Sequence, residues 1–246
     1  MQKVISVENV QTIFDDKIVH NGLNLTINRG EIYGLLGPSG CGKTTLMREM
    51  VMLQKYSAGS IKVLGHDLSS IAHKEAQELR RDWGVLFQAG ALFSSLNIKE
   101  NIELPLIEYT NLSEEMIDEI VKFKINLVGL KQGDAYLYPS QISGGMKKKA
   151  ALARALAMDP KLLFLDEPTS GLDPVSAREF DKLILKLRSL LGLTIVMVSH
   201  DLQSIYDTLD RAAIIDDKKI IYEGSLENIH TVKNDFIETF FGHNNE

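Results

Sequence analysis

A glycine-rich stretch directly after a short apolar run is the feature that most restricts the fold of this chain. Residues 37–44 read Gly-Pro-Ser-Gly-Cys-Gly-Lys-Thr and fit the pattern G-x-x-x-x-G-K-[ST], and the apolar run Ile32–Leu36 stands immediately before them. Glycines allow the backbone N–H groups of such a loop to curl around an anion, and a helix that starts near Thr44 adds its partial positive charge. The pattern therefore predicts a strand, a phosphate-binding loop and a helix in succession.

Two side chains of this loop have chemistry of their own. Lys43 is expected to reach the terminal phosphates of a nucleotide, and the hydroxyl group of Thr44 is expected to bind Mg²⁺. ATP and Mg²⁺ are therefore the predicted cofactors. The predicted nucleotide-binding residues of the loop are Gly37, Pro38, Ser39, Gly40, Cys41, Gly42, Lys43, Thr44 and Thr45.

The apolar pattern along the chain predicts an α/β fold with a mostly parallel sheet, because short apolar runs alternate with longer helical patterns. The runs expected to form central strands are Ile32–Leu36, residues 85–87, residues 162–165 and Thr194–Val198. The stretch up to Ile27 instead alternates apolar and polar residues, which is typical of an antiparallel β subdomain with one exposed face. Two apolar segments, at 212–215 and 220–222, predict a β-hairpin.

The pattern becomes helical between Gln88 and Pro160, where Ser113 can cap a helix and Lys124 interrupts its apolar stripe. This stretch predicts a helical subdomain inserted into the sheet. The predicted organisation is a nucleotide-binding domain at 1–228, with a core and β subdomain at 1–88 and 159–228, a helical subdomain at 89–158, and a C-terminal tail at 229–246.

A second motif supplies carboxylates. The apolar run at 162–165 is followed directly by Asp166 and Glu167, and open α/β sheets place their ligands at this end of their strands. We expect Asp166 to orient the Mg²⁺ shell and Glu167 to polarise the attacking water as a general base. Together with the phosphate loop, the motif predicts a Mg²⁺-dependent ATPase.

The charge composition argues against a nucleic-acid-binding protein. Lysine and arginine number 27 and aspartate and glutamate 33, so the formal net charge is −6. Affinity for a nucleic-acid backbone depends on positive charge, and no nucleic-acid partner is expected. The basic run at 147–149 is interpreted as a solvated helix face.

The single cysteine, Cys41, excludes an internal disulfide and favours the cytosol. The start of the chain does not fit a signal peptide, and no window approaches the roughly 18 to 20 apolar residues that span a bilayer. Any membrane role is therefore expected to depend on a partner that supplies the spanning helices.

A third motif indicates a family. Residues 141–146 read Gln-Ile-Ser-Gly-Gly-Met and precede a helical run and the Asp166 strand, and this arrangement resembles the signature motif of the ABC ATPases. The resemblance covers essentially residues 4–224. It implies the ABC ATPase fold, in which a phosphate-loop core has an antiparallel β subdomain and a helical subdomain that carries the signature. Further positions that match in the family order are Phe14, Gln88, Ser170, Gly171, Leu172, Asp173 and His200.

The resemblance also implies roles for these residues. Ser143, Gly144 and Gly145 would form an anion-binding helix start on the γ-phosphate held by a second copy of the chain, so that two ATP molecules lie between two subunits. The remaining implied roles are contact with Mg²⁺ and the water for Gln88, a bridge between the two sites for Asp173, contact with the γ-phosphate for His200, and adenine stacking for Phe14.

Two positions depart from the family pattern, since Phe14 replaces a common tyrosine and Met146 replaces the usual glutamine. An aromatic residue after a strand more often packs in a core, so both interpretations of Phe14 stay open. With the segments 87–93, 100–106 and 143–150, the departures resemble the ATPases of bacterial lipid transporters that work with MCE-type lipid-binding proteins and maintain outer-membrane lipid asymmetry.

This branch implies several partners: a second copy of the ATPase, an integral membrane permease, an MCE-type lipid-binding protein and a small cytoplasmic accessory subunit. It also implies a cytoplasmic chain held by the permease at the inner face of the bacterial inner membrane. Two alternatives share the same catalytic chemistry, namely the ATPase of an importer for amino acids or other small solutes, and a non-transport regulator of a membrane partner. A chromosome or DNA-repair ATPase is disfavoured, because no long coiled-coil pattern or cysteine pair lies between Thr44 and Ser143.

Overall fold

A computed structural model describes residues 2–242 of the chain. Over these residues the strands are β1 (Lys3–Phe14), β2 (Lys17–Asn28), β3 (Ile32–Leu36), β4 (Ala58–Val63), β5 (His66–Asp67), β6 (Trp83–Leu86), β7 (Leu162–Asp166), β8 (Thr194–Val198), β9 (Arg211–Asp216) and β10 (Lys219–Gly224). The α-helices are α1 (Lys43–Met50), α2 (His73–Leu79), α3 (Ile98–Tyr109), α4 (Glu114–Leu127), α5 (Gly144–Ala155), α6 (Pro174–Leu191), α7 (Leu202–Thr208) and α8 (Asp235–Phe241).

The described chain divides into two compact units, one that runs up to Arg80 and resumes at Leu193, and one at Arg81–Gly192. Helices α3 to α5 of the second unit fall inside the predicted helical subdomain at 89–158, whose bounds stay a prediction. Helix α8 lies in the predicted C-terminal tail, and residues 243–246 of that tail lie outside the described residues.

The first unit begins with an antiparallel sheet in the order β2-β1-β4-β5. Its strands have one buried and one more exposed face: Leu23, Leu25 and Ile27 of β2 are buried, whereas Asn24 between them is exposed. The alternation of apolar and polar residues was the basis for predicting this sheet, and the prediction is confirmed.

A second set of strands in the first unit forms its parallel core. Strand β3 lies between β8 and β9 and runs parallel to both, while β10 pairs antiparallel with β9. Every residue of β3 and β8 is buried, as expected of central strands that are covered on both faces. The bounds predicted for these two strands are confirmed, and so is the hairpin, which β9 and β10 form.

In the second unit, β6 and β7 pair in parallel, from Trp83 opposite Leu162 to Leu86 opposite Leu165. Strand β6 starts two residues earlier than the predicted strand at 85–87, and Phe87 lies beyond its end. The reason is a turn in which the carbonyl oxygen of Phe87 accepts a hydrogen bond from the N–H of Gly90 at 2.7 Å. The predicted bounds of this strand were therefore wrong, although its existence is confirmed.

Local capping explains where the helices of the second unit begin. The Ser113 hydroxyl oxygen accepts a hydrogen bond from the N–H of Met116 at 3.3 Å, which confirms the predicted cap of α4. Lys124, which interrupts the stripe of that helix, is buried, and its ammonium group donates to the carboxylate of Asp159 at 2.5 Å.

Within residues 2–242, no helix combines the length and the apolar composition needed to cross a bilayer.

Candidate functional site

The phosphate loop connects β3 to α1 through a backbone that only glycine adopts easily. Gly37 and Gly42 have φ angles of 141° and 102°. A Cβ atom on Gly37 would lie 2.1 Å from the carbonyl oxygen of Ile215, and one on Gly42 would lie 2.3 Å from Nε2 of His20. Glycine is therefore required at both positions, for its conformation and for the lack of space.

The start of α1 leaves backbone donors for an anion. Gly42 caps the helix without a side chain, and no acidic residue stands in the first turn. The first helical hydrogen bond runs from the N–H of Leu46 to the carbonyl oxygen of Gly42 at 2.9 Å. The N–H groups of a first helical turn have no acceptor within their own helix, and together with the helix dipole they suit a phosphate group.

Lys43 lies in the curl of this loop. Its Nζ atom donates to the carbonyl oxygens of Gly37 and Pro38, both at 2.8 Å, and lies 3.8 Å from Sγ of Cys41. A phosphate oxygen forms a stronger, charge-assisted bond with an ammonium group than a carbonyl does. The geometry fits the predicted role of Lys43 as a phosphate ligand.

A buried polar network that the sequence analysis missed lies beneath the loop. Nε2 of His20 is 3.2 Å from the carbonyl oxygen of Gly42, and its Nδ1 is 2.9 Å from the hydroxyl oxygen of Thr12. That hydroxyl also bonds Oε1 of Glu49 at 2.7 Å, and all three side chains are buried. Because a carbonyl oxygen only accepts, Nε2 must carry a proton, and His20 donates a hydrogen bond to the phosphate loop. The sequence did contain a signal for this network, because Thr12, His20 and Glu49 are polar residues at otherwise apolar positions.

In the second unit, β7 delivers the predicted carboxylates. Asp166 ends the strand with 5% of its surface exposed, and Glu167 follows it. Oε2 of Glu167 accepts a hydrogen bond from Nε2 of Gln88 at 2.7 Å. The fold therefore brings together Gln88 and Glu167, two predicted catalytic residues that are far apart in the chain.

The backbone of Glu167 is strained. Its φ angle is 48°, in the left-handed region, which costs a residue other than glycine on the order of 1–2 kcal/mol. Such conformations persist where surrounding contacts hold them, and they are frequent at functional sites. Here a buried lysine supplies such a contact, because Nζ of Lys148 donates to the carbonyl oxygen of Glu167 at 3.1 Å and to that of Gln88 at 2.5 Å. We refer to Gln88, Lys148 and Glu167 as the Glu167 corner.

The basic run at 147–149 is thus not uniformly solvated. Lys148 is 6% exposed, so its interpretation as part of a solvated helix face was wrong. The helical period contained a signal that would have corrected it: Lys148 lies on the same face of α5 as the buried Ala151 and Leu152.

The signature residues form the start of α5. The Ser143 hydroxyl oxygen accepts a hydrogen bond from the N–H of Met146 at 3.2 Å, which confirms the predicted N-cap. Cβ atoms on Gly144 and Gly145 would approach the side chains of Leu172 and Ser176 at 3.8 and 4.0 Å. The signature therefore lies beside the start of α6.

That start is capped by Asp173, whose carboxylate accepts hydrogen bonds from the N–H groups of Val175 and Ser176 at 3.1 and 3.0 Å. Hydrogen bonds from Ser176 in particular lower the pKa of the Asp173 carboxyl, so it is negatively charged at neutral pH. The exposed signature and a fixed negative charge thus stand next to each other in the second unit.

Comparisons with known proteins agree with this chemistry. The family described as ABC transporter matches residues 20–170. The intermembrane phospholipid transport system ATP-binding protein MlaF of Haemophilus influenzae is 41% identical, over 93% of this chain and 86% of that protein. The methionine import ATP-binding protein MetN of Clostridium tetani is 38% identical, over 92% of this chain and 70% of that protein.

Among solved structures, the dimeric post-hydrolysis state of the ATP-binding cassette MJ0796 bound to ADP and Pi matches with a TM-score of 0.82 and 30% identity. The match covers 90% of this chain and 98% of that one. The chain belongs to the ABC transporter family. Its predicted fold class, its place as an ATP-binding subunit and its ATPase activity are thereby confirmed.

Two residues with predicted roles in this ABC ATPase belong to the first unit. His200 is exposed and stands just after β8, separated from it by the buried Ser199. Phe14 is the last residue of β1 and is 37% exposed. That exposure disfavours the interpretation of Phe14 as a core residue, and the roles of both residues stay predictions.

The predicted Mg²⁺ site contains one buried carboxylate, that of Asp166 at the end of β7. Among residues 2–242, no group of three or more His, Cys, Asp or Glu side chains is arranged to hold a metal ion. Mg²⁺ suits such a site, because it is commonly held by one or two carboxylates, waters and substrate phosphates. A single buried carboxylate at the end of β7 fits this pattern.

Proposed function

We propose that this ABC ATPase drives phospholipid transport through a separate membrane permease. The observation that carries the proposal is the 41% identity to the phospholipid transport protein MlaF, which extends over 93% of this chain. The proposed place of action is the inner face of the bacterial inner membrane. The proposed further partners are an MCE-type lipid-binding protein and a small cytoplasmic accessory subunit.

In the proposed hydrolysis reaction, Glu167 accepts a proton from the attacking water. Its hydrogen bond with Gln88 supports this role, because Gln88 can hold the carboxylate in one direction. Lys43 and the loop N–H groups bind the phosphates, and His200 contacts the γ-phosphate.

The proposed Mg²⁺ ligands are Thr44, Asp166 and Gln88. When bound, Mg²⁺ supplies positive charge to the phosphate oxygens. The side chains around the nucleotide then have to position the attacking water next to the carboxylate of Glu167.

We further propose that a second copy completes each site. The exposed start of α5, with Ser143, Gly144 and Gly145, suits an anion bound to another subunit, and the MJ0796 cassette is a dimer. A mixing experiment tests this proposal with two inactive variants, Lys43→Ala and Ser143→Arg. In their heterodimer one site carries both lesions and the other carries none, so partial ATPase activity should return. Activity that stays at the level of the single variants contradicts a shared site.

The proposed permease contact lies after Gln88. Ala91 and Phe93 are exposed, and the ring of Phe93 lies beneath the guanidinium group of Arg154, 6.0 Å from its Cζ atom. Contiguous exposed apolar patches mark sites of protein–protein contact, and these two residues would form part of one. Leu92→Asp should therefore reduce membrane association and transport while sparing ATP binding. Unchanged membrane association in that variant would count against this docking segment.

The transport proposal is tested with the assembled complex in liposomes. Labelled phospholipid should move between membranes only with MgATP, and Glu167→Gln serves as the inactive control. A second candidate function, import of an amino acid or another small solute, is supported by the 38% identity to the methionine import protein MetN. ATP-dependent movement of methionine without movement of lipid would select that candidate.

A further inference from the structure

Helix α5, which begins at the signature, holds the backbone around Gln88 at two places. Nζ of Lys148 donates to the carbonyl oxygen of Gln88 at 2.5 Å. Further along the helix, the guanidinium group of Arg154 donates to the carbonyl oxygens of Gly90 and Ala91 at 3.0 and 2.7 Å. The segment that carries Gln88 is therefore attached to α5 by two charged side chains.

Lys148 also reaches the residue proposed as the general base. The same Nζ donates to the carbonyl oxygen of Glu167 at 3.1 Å, while the side chain of Gln88 donates to the Glu167 carboxylate at 2.7 Å. An ammonium group has three donors and can serve both carbonyl oxygens at once. The contacts of the Glu167 corner thus form a closed ring. The ammonium group of Lys148 bonds to the carbonyl oxygens of Gln88 and Glu167, and the side chains of these two residues bond to each other.

Packing alone does not account for a lysine at this place. Lys148 is 6% exposed, and a methionine would fill a similar volume without a buried charge. Burial lowers the pKa of Lys148, whereas the carboxylates of Glu167 and Asp166 oppose that shift and favour the charged form. The hydrogen bonds that compensate for the burial of this charge go to the backbones of Gln88 and Glu167.

The backbone of Glu167 indicates what the ring does. With φ at 48°, Glu167 needs external contacts to keep its conformation. The carbonyl group that Lys148 holds belongs to this strained residue, so the ammonium restricts the peptide that sets the direction of the carboxylate.

We propose that Lys148 is a positioning residue for ATP hydrolysis, which holds Gln88 and Glu167 in the arrangement that lets the carboxylate accept a proton from water. The inference rests on the proposed role of Glu167 as the general base. Because Lys148 and Ser143 belong to the same helix, a movement of the signature helix also moves the ammonium group. Glu167 is therefore correctly placed only when α5 is.

Three variants of the full-length chain test this role: Lys148→Met, Lys148→Arg and the control Lys149→Met, which removes the same charge from the next position of α5. Lys148→Met should lower kcat at least about tenfold and leave the Kd for ATP within about threefold of wild type, because positioning acts on the chemical step. Lys148→Arg should recover part of the loss, since a guanidinium group has donors for both carbonyl oxygens. Lys149→Met should stay within about twofold of the wild-type kcat.

A double variant distinguishes positioning from folding. If Lys148 acts through the ring, Lys148→Met combined with Gln88→Ala lowers kcat by less than the product of the two single effects. Two independent effects that multiply would overturn the proposal. So would a kcat within about twofold of wild type in Lys148→Met, or a loss that Lys149→Met reproduces. If Lys148→Met does not fold, Lys148→Gln takes its place, and wild-type kcat in that variant has the same consequence.

The kcat of Glu167→Gln, measured in parallel, distinguishes a failure of the positioning role of Lys148 from a failure of the proposed general base. Near-normal turnover in Glu167→Gln removes the proposed general base and the positioning role with it. A large loss in Glu167→Gln with none in Lys148→Met overturns the positioning role alone.

Discussion

The phosphate loop and the Glu167 corner both depend on backbone in the left-handed region, but they reach it by different means. In the loop the residues are glycines, so the conformation requires no support from other segments. In the corner the residue is Glu167, and side chains from two other segments, Gln88 and Lys148, bond to it. A site built from backbone can therefore be recognised in a local motif, whereas a site held by side chains depends on segments that only the fold brings together.

The largest expected effect separates the two regions by function. Glu167→Gln should reduce turnover by about 10²- to 10⁴-fold, as is typical when a general base is removed, and should keep ATP binding. Lys43→Ala should instead weaken ATP binding itself, because it removes a charged donor from the loop. Titration calorimetry and steady-state ATPase assays measure both quantities. Equal losses of ATP binding in the two variants would contradict this division between binding by the loop and turnover by the corner. Glu115→Gln on the exposed start of α4 is the matched control.

The second prediction concerns space in the phosphate loop. Alanine at Gly42 or Gly40 is strained by a positive φ, but only at Gly42 would the new Cβ atom lie 2.3 Å from Nε2 of His20. At Gly40 the new Cβ atom would lie in open space, with no contact within 4 Å beyond its chain neighbours. We expect Gly42→Ala to weaken ATP binding by at least about tenfold more than Gly40→Ala, which corresponds to about 1.4 kcal/mol. Similar Kd values for the two variants would show that backbone strain alone matters.

A third prediction tests whether the loop is as independent of side chains as its glycines indicate. His20→Leu removes the donor to the Gly42 carbonyl oxygen and a partner of the buried Thr12 hydroxyl. Each buried hydrogen bond that is lost contributes about 0.5–1.5 kcal/mol, so Tm should fall by several degrees. The exposed His73→Leu is the control, and thermal unfolding with and without ATP is the measurement. A Tm equal to that of the control would mean that the network contributes nothing to the loop.

The smallest expected effect is on the only cysteine of the chain, Cys41, which lies in the loop. Burial raises the pKa of its thiol, and the nearby Lys43 charge only partly opposes this shift. A raised pKa leaves less thiolate at any pH below it, so alkylation should be slower than in the denatured chain and should increase up to a higher pH. Bound MgATP should slow it further. Labelling rates followed by mass spectrometry between pH 7 and about 10 test both points, and equal rates with and without MgATP contradict the placement of Cys41 at the nucleotide.

Much of the fold was predictable because its signals are local. Strands β3 and β8 are uninterrupted apolar runs, and their bounds were predicted correctly. The caps at Ser113 and Ser143 follow from residue type and from the helical pattern behind them. Strand β6 was displaced in the prediction, because the turn that excludes Phe87 depends on a hydrogen bond that the apolar pattern does not encode.

The residues of the site also divide into those that the sequence predicted and those that only the fold brought together. Residue types and their order by themselves determined that this chain has a phosphate loop, a pair of carboxylates after a buried strand, and a signature at a helix start. Only the tertiary structure placed Gln88 on the carboxylate of Glu167, buried Lys148 between their carbonyl oxygens, and set His20 under Gly42. The physical reason is range: φ angles, caps and periodicity act over a few neighbouring residues, whereas the burial of a charge and the choice of its acceptors depend on segments far apart in the sequence.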